Sequence, residues 1–276
     1  MRKCLLLGLM LIMLSSFHDQ KELKWMAIGD SITFLDGHPD ESNNRITKSY
    51  MERVENKLPY IRYVNHGHNG WTSSRMAAAI NSINLEKAAI YTIFLGTNDW
   101  WAGLPVGNMN DYNLNTGNKT MYGSFRVIID KIRSLNKKAN IILITPMQRG
   151  DFVYVKNFKN NAYGSYKDKK GHNLKEYADG IKEIATHENF KIVDLYDKSG
   201  ITPKNVVKFK RLKDPLTGMY KNFPYPQYLN IPFNPETDEY PYPLEAINMT
   251  YDGLHPSDKG LSIIAKMLEK ELKLIN

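Results

Sequence analysis

Cysteine is almost absent: Cys4 is the single one in 276 residues. Once a leader is removed, the chain has no thiol and no disulfide, which suits export without requiring it. Cys4 also precedes the nearest apolar run, whereas a lipid-modified cysteine would follow it, so no lipoprotein site is read there. Long apolar runs are missing as well. Leu5–Leu14 is too short to span a bilayer comfortably. There is no internal repeat and no interdomain linker. The net charge of +8 comes without any nucleic-acid motif, so nucleic acid is not an expected partner.

What is present at the N-terminus is a leader pattern. Arg2 and Lys3 form a basic start, the apolar run follows, and Ser15 and Ser16 are small residues of the kind a signal peptidase cuts beside. We read residues 1–20 as a secretory signal ending between Ser15 and Gln20, with an uncleaved anchor as the alternative. Residues 21–276 then form one domain, secreted or periplasmic, with no stable membrane insertion after cleavage. Hydrophobic residues make up 42% and charged residues 24%, an ordinary globular composition. Lysines crowd between Lys131 and Lys175. That density reads as a solvated basic face, or else as attraction to an acidic polymer or anionic surface.

The stretch Trp25–Thr33, WMAIGDSIT, organises the rest. Trp25–Ile28 is short and apolar, like the end of a buried strand. Gly29, Asp30, Ser31 and Thr33 then turn abruptly small and polar. A serine on a sharp turn at a strand's carboxyl end is exposed yet held, as a nucleophile must be. The plainer reading is a strand-to-helix turn capped by Ser31.

Helical spacing covers Asn44–Leu58, Ser73–Leu85, Tyr122–Leu135, Leu174–His187 and Asp258 to about Leu274. Strands are read at Ile61–Val64, Ala88–Leu95, Asn140–Thr145 and Phe190–Leu195. Ala88–Leu95 is almost wholly apolar and should be a central strand buried on both faces. The alternation implies a parallel sheet covered by helices on both sides, with ligands at the strands' carboxyl ends. Two segments interrupt the pattern. Trp100–Lys119 is rich in Gly, Asn and Trp and reads as a loop. Residues 201–249 are rich in Pro, Tyr and Phe, and leading into the next motif they are expected to pass the mouth of the cleft, or else to lid the core.

Asp252 and His255 stand three apart near the C-terminus. On a loop, the carboxylate can reach Nδ1 and leave Nε2 free to take a proton from Ser31. Asn98 offers a side-chain amide after the central strand, Gly70 an unobstructed N–H, and Ser31 its own N–H, all candidate oxyanion donors. His66 and His68 share one face of an extended segment, but no third ligand lies nearby, so no metal is expected. Trp71, Trp100 and Trp101 each follow an oxyanion block and are read as a platform for a sugar or aromatic group, with core packing as the alternative.

Taken in order, GDSIT, NHGHNG, GTND and DGLHP resemble the four sequence blocks of the SGNH hydrolase superfamily, the GDSL-type esterases. The order and spacing extend over about Trp25–Leu274, while only the short blocks match closely. The resemblance implies a three-layer α/β/α sandwich with a flavodoxin-like, mainly five-stranded parallel sheet. It also implies metal-independent, cofactor-free ester hydrolysis. Its site would be Ser31 as nucleophile, Gly70 and Asn98 as oxyanion donors, His255 as base and Asp252 as its orienter. Ile32 replaces the family's block-one leucine. Gly70 fits the family glycine better than Gly67, because Asn65 and Thr72 also fall in family positions. Asp30 is expected to hold the turn. The expected substrate is a short acyl ester, acetyl by preference, on a carbohydrate. A lysophospholipase or arylesterase, a sugar O-acyltransferase and a carbohydrate-binding protein are the alternatives.

Overall fold

The computed structural model describes residues 22–275; the leader reading and Cys4 lie outside them. Five strands form the central sheet: β1 (Leu23–Gly29), β2 (Ile61–Gly67), β3 (Ile90–Phe94), β4 (Asn140–Ile144) and, later in the chain, Lys191–Val193. Their order places β2 at one edge, then β1, β3, β4 and the Lys191–Val193 strand, and every pairing is parallel. This is a doubly wound order, whose switch point lies between β1 and β3.

Side-chain alternation sends each strand into two cores. Trp25, Ala27, Ile90, Phe94, Ile142 and Ile144 face one side, packed under the helices Tyr50–Lys57 and Asp258–Leu272. Met26, Ile28, Tyr91, Ile93, Ile141 and Leu143 face the other, under Ser73–Ala79, Met121–Leu135 and Leu174–Glu188. Three layers result, α/β/α.

Two expected helices are shorter than the spacing predicts. The one expected from Asn44 begins at Tyr50, because Asn43 and Asn44 take positive φ and Ser49 caps the helix through Glu52 N–H. The one expected to reach Leu85 stops at Ala79, and Asn84 is left-handed. The expected loop Trp100–Lys119 is partly helical: Thr97–Ala102 is one short helix and Met109–Asn113 another, the latter with an Asn108/Asp111 capping box.

Two hairpins outside the main sheet had no clear period in the sequence. Phe152–Tyr154 pairs with Asn157–Ala162, and Lys210–Lys213 with Tyr220–Phe223. The second lies inside the aromatic segment 201–249. Several rings of that segment turn inward. Tyr228 and Tyr242 are buried in the core, and the Tyr240 and Tyr242 hydroxyls donate to the backbone carbonyls of Val153 and Asp151. A segment of this length must satisfy its own backbone and bury its rings somewhere. It does so behind the first hairpin.

Candidate active site

β1 ends in a turn with no room for a side chain. A Cβ on Gly29 would lie 2.0 Å from Thr33 Oγ1. The chain therefore enters the single-turn helix Ser31–Phe34 directly, and Asp30 caps it by accepting from Ile32 N–H at 3.0 Å. Asp30 is enclosed, and burial pushes its carboxyl up to about 7, against the opposing pull of the Ile32 hydrogen bond and His255. The hydrogen bond it accepts from Ile32 N–H ties the turn that carries Ser31 to the strand end.

His255 Nε2 lies 2.9 Å from Ser31 Oγ, and His255 Nδ1 lies 2.7 Å from Asp252 Oδ2. Asp252 is almost wholly enclosed, and its other oxygen accepts from Leu254 N–H at 3.0 Å and His255 N–H at 2.7 Å. The imidazole is clamped as well. Tyr251 stacks on it at 5.8 Å and Phe152 meets it edge-on at 5.4 Å. Serine, imidazole and carboxylate thus stand in one hydrogen-bonded line, assembled from residues 224 positions apart.

The candidate donors come from the next two strand ends. Asn98 sits on Thr97–Ala102, and its Nδ2 donates to Trp71 O at 3.0 Å, which fixes the amide and leaves it a second N–H. The choice between Gly67 and Gly70 has a structural basis. Gly67 N–H is occupied by Asn65 Oδ1 at 2.7 Å, and a Cβ there would strike Phe34 N at 2.2 Å. Gly70 has φ +72° and open space around its Cα, and no acceptor among the described residues takes its N–H.

Two of the three tryptophans are not free to stack a substrate. Trp100 is completely buried, and its Nε1 donates to His172 O at 3.0 Å. Trp71 has both faces covered: His68 stacks on it at 3.9 Å and the Arg75 guanidinium lies 4.9 Å from its ring. The reason for Trp100 is local. The Trp pair lies on a helix, where neighbours point about 100° apart, so one goes inward. Trp101 is half-buried beside Phe152, Ala162 and Leu254, which form a small apolar wall next to His255, and its own ring is covered by the Lys169 ammonium at 3.8 Å and met edge-on by Tyr163 at 4.8 Å. His66 and His68 collect no third ligand: among the described residues, no cluster of three metal-binding side chains exists. Burial pushes both imidazoles down, and His68 serves as a stacking partner.

Several supporting residues carried no signal in the sequence. Asp99, which reads as a turn residue, accepts from Ser73 N–H at 3.0 Å and from its hydroxyl, pinning the loop that carries Gly70. Burial raises its carboxyl above the ordinary value, against those hydrogen bonds. Arg149 is buried under Trp100 and Trp101, 5.6 Å from each ring. Burial lowers its guanidinium to about 10, with Asp252 and Asp151 the nearest compensating charges. The Asp252–His255 loop rests on Gly150–Val153, where Gly150 N–H donates to Gly253 O at 2.9 Å and Val153 N–H to Asp252 O at 3.3 Å. Only a buried contact map links these residues to the loop.

Fold and site together define the class: a serine hydrolase built on a doubly wound α/β sheet. The chain belongs to the GDSL-like lipase/acylhydrolase family, whose model matches residues 27–215. It is 55% identical to a Chitinophaga pinensis protein described as a possible lipase, with a TM-score of 0.91, covering 92% of this chain and 99% of that one. A mutant acetyl-xylooligosaccharide esterase from Geobacillus shares the fold at 21% identity, TM-score 0.52, over 91% of this chain and 94% of that one. A lipase/acylhydrolase from Enterococcus faecalis does so at 18% identity, TM-score 0.50, over 91% and 95%. No curated protein matches the sequence. The protein is an ester-hydrolysing enzyme. No helix among the described residues is long and apolar enough to cross a membrane.

Proposed function

We propose that the protein is an exported esterase that removes short acyl groups, acetyl above all, from carbohydrate. Ser31 attacks the ester carbonyl while His255 Nε2 takes its proton. Asp252 holds the Nδ1–H tautomer and stabilises the imidazolium. The N–H groups of Ser31 and Gly70 and the free N–H of Asn98 receive the oxyanion. The alcohol leaves with the proton from His255. Water then cleaves the acyl-enzyme, with His255 acting again as base.

The observation that carries this reading is the unbroken Ser31–His255–Asp252 hydrogen-bonded line. A short acyl group suits the small apolar wall of Phe152, Ala162 and Leu254 beside His255. Carbohydrate as the alcohol is supported by the fold shared with an acetyl-xylooligosaccharide esterase and by the leader pattern. The apolar wall of Phe152, Ala162 and Leu254 also favours a second reading, an arylesterase, in which that wall receives an aromatic leaving group.

A fluorophosphonate should label Ser31 alone, and Ser31→Ala should lower kcat by several orders of magnitude while folding normally, roughly as triad removal does elsewhere. Acetate release from acetylated oligosaccharides, set against p-nitrophenyl esters of rising chain length, separates the two substrate readings. Labelling at another serine, or an active Ser31→Ala, overturns the mechanism.

A further inference from the structure

Behind the first hairpin lies a cavity of about 220 Å³. Its lining includes Asp151, Asn161, Tyr163, Tyr166, Lys167 and Lys210; neither Ser31 nor His255 takes part. On its wall is a buried ion pair. Lys210 is 3% exposed and donates to Asp151 Oδ2 at 2.9 Å. Asp151 is fully occupied, since its other oxygen accepts from Gly164 N–H at 2.9 Å and from the Tyr166 hydroxyl.

Lys210 is not fully occupied. An ammonium has three N–H donors, and among the described residues Asp151 is the one acceptor it meets; the Tyr228 ring stands 5.3 Å away. Lys167 also faces the cavity, 5.7 Å and 5.9 Å from the Tyr163 and Tyr166 rings, and no carboxylate among the described residues pairs with it. Two cations and one anion line the cavity, so one positive charge is left over. Buried donors left empty are costly. Water can fill the buried Lys210 donors and solvate the exposed Lys167 separately. An oxyanion seated between them takes a charge-assisted hydrogen bond from each.

The shape narrows the choice. Tyrosine rings present flat apolar surface and Asn161, whose Nδ2 is held by Phe158 O and Lys159 O, leaves its amide oxygen as a polar group, the combination that receives a sugar ring. Phe152 joins the cavity to the reaction centre: it lines the one, and its ring lies 5.4 Å from His255 in the other. We propose that this cavity binds the carboxylate of an acidic sugar unit in the same polymer whose ester is cleaved at Ser31. The inference rests on carbohydrate being the substrate. It also gives a role to part of the lysine-dense segment. Lys156, Lys159 and Lys175 are engaged with Asp40, Glu236 and Asp179 at the surface, while Lys167 remains open to a ligand.

The test is calorimetric or NMR titration of the folded enzyme with glucuronate and, as the neutral match, glucose. Glucuronate should bind at low salt, weaken as salt rises, and bind about tenfold more weakly to Lys167→Ala, the loss expected for one charge-assisted hydrogen bond. Lys167 is surface-accessible, so the variant should keep its melting temperature; Lys210→Met is a second, harsher variant. The ratio of kcat/KM on acetylated acidic oligosaccharide to that on p-nitrophenyl acetate should fall in Lys167→Ala. Equal binding of glucose and glucuronate, or glucuronate binding unaltered by Lys167→Ala, overturns the inference even if Ser31 is the nucleophile. Glucuronate binding through Lys167, without cleavage of any carbohydrate ester, keeps the acid-sugar site and overturns the proposed substrate instead.

Discussion

At the scale of single residues, the site depends on groups whose orientation is set by a second partner. Asn98 is the clearest case. One N–H of its amide is held by Trp71 O at 3.0 Å, so the other has a fixed direction before substrate arrives. Preorganised donors of this kind act on the transition state and much less on the bound ester. Asn98→Ala should therefore lower kcat on p-nitrophenyl acetate roughly 100- to 1000-fold, as loss of one oxyanion donor does elsewhere, with KM nearly unchanged. A rise in KM alone would make Asn98 a ground-state contact. Trp71 contributes through its backbone carbonyl, and its indole is held between His68 and Arg75. The sequence suggests a sugar platform there, but packing has used both faces of the ring.

Among the elements, the strand Phe152–Tyr154 and the residues before it matter most. Gly150–Val153 is the bed on which the Asp252–His255 loop lies. Asp151 anchors that bed. Burial opposes its ionisation, but the Lys210 ammonium and the hydrogen bonds of Tyr166 and Gly164 outweigh this and hold the carboxyl low. The loop approaches so closely that a Cβ on Gly253 would lie 1.7 Å from Asp151 O, and Gly253 has φ +91°. Gly253→Ala must move the loop on both counts. A displacement near 1 Å at a catalytic group costs about 100-fold in rate, and the strained φ costs roughly 1–3 kcal/mol. We expect kcat to fall by about that factor, with a lower melting temperature and fluorophosphonate labelling of Ser31 slowed in parallel. Full activity in this variant would show that the loop reaches its position without the Gly150–Val153 bed. The same contacts explain the aromatic segment 201–249: its tyrosines support this bed from behind.

At the scale of the whole molecule, Asp30 links the nucleophile turn to global stability. Its carboxyl titrates near 7 in the folded protein and near 3.8 when free. The folded state therefore keeps a proton that the unfolded state releases between those values. That contribution is complete below about pH 4 and is lost as pH rises through about 7, up to about 4 kcal/mol in all. Asp30→Asn keeps a side-chain oxygen for the Ile32 cap and removes the titration. Measured by denaturant midpoint, the variant should gain on the wild type as pH rises from about 4 to about 7 and keep a constant lead above that. Parallel stability curves for the two proteins would show that Asp30 is ionised in the fold throughout.

The sequence by itself determined the sheet and named the candidate reacting groups. Strands buried on both faces must be nearly all apolar, as Ile90–Phe94 is, and helices flanking a sheet must carry one apolar stripe. These are local periodicities, legible without a structure. Ser31, Gly70 and Asn98 are legible because a polar block ending an apolar strand has a local signature, and Asp252 and His255 because they stand three apart just before the last helix. The tertiary structure alone decided how those groups are held. Asp99, Arg149, Asp151 and Gly253 act through contacts between distant segments, and no window along the chain contains both partners. The same holds for Trp100 and Trp101: adjacent and chemically identical, they part into core and cleft wall because one faces the packed sheet and the other faces Leu254. Burial is a property of what lies opposite a side chain, and only the folded chain supplies that.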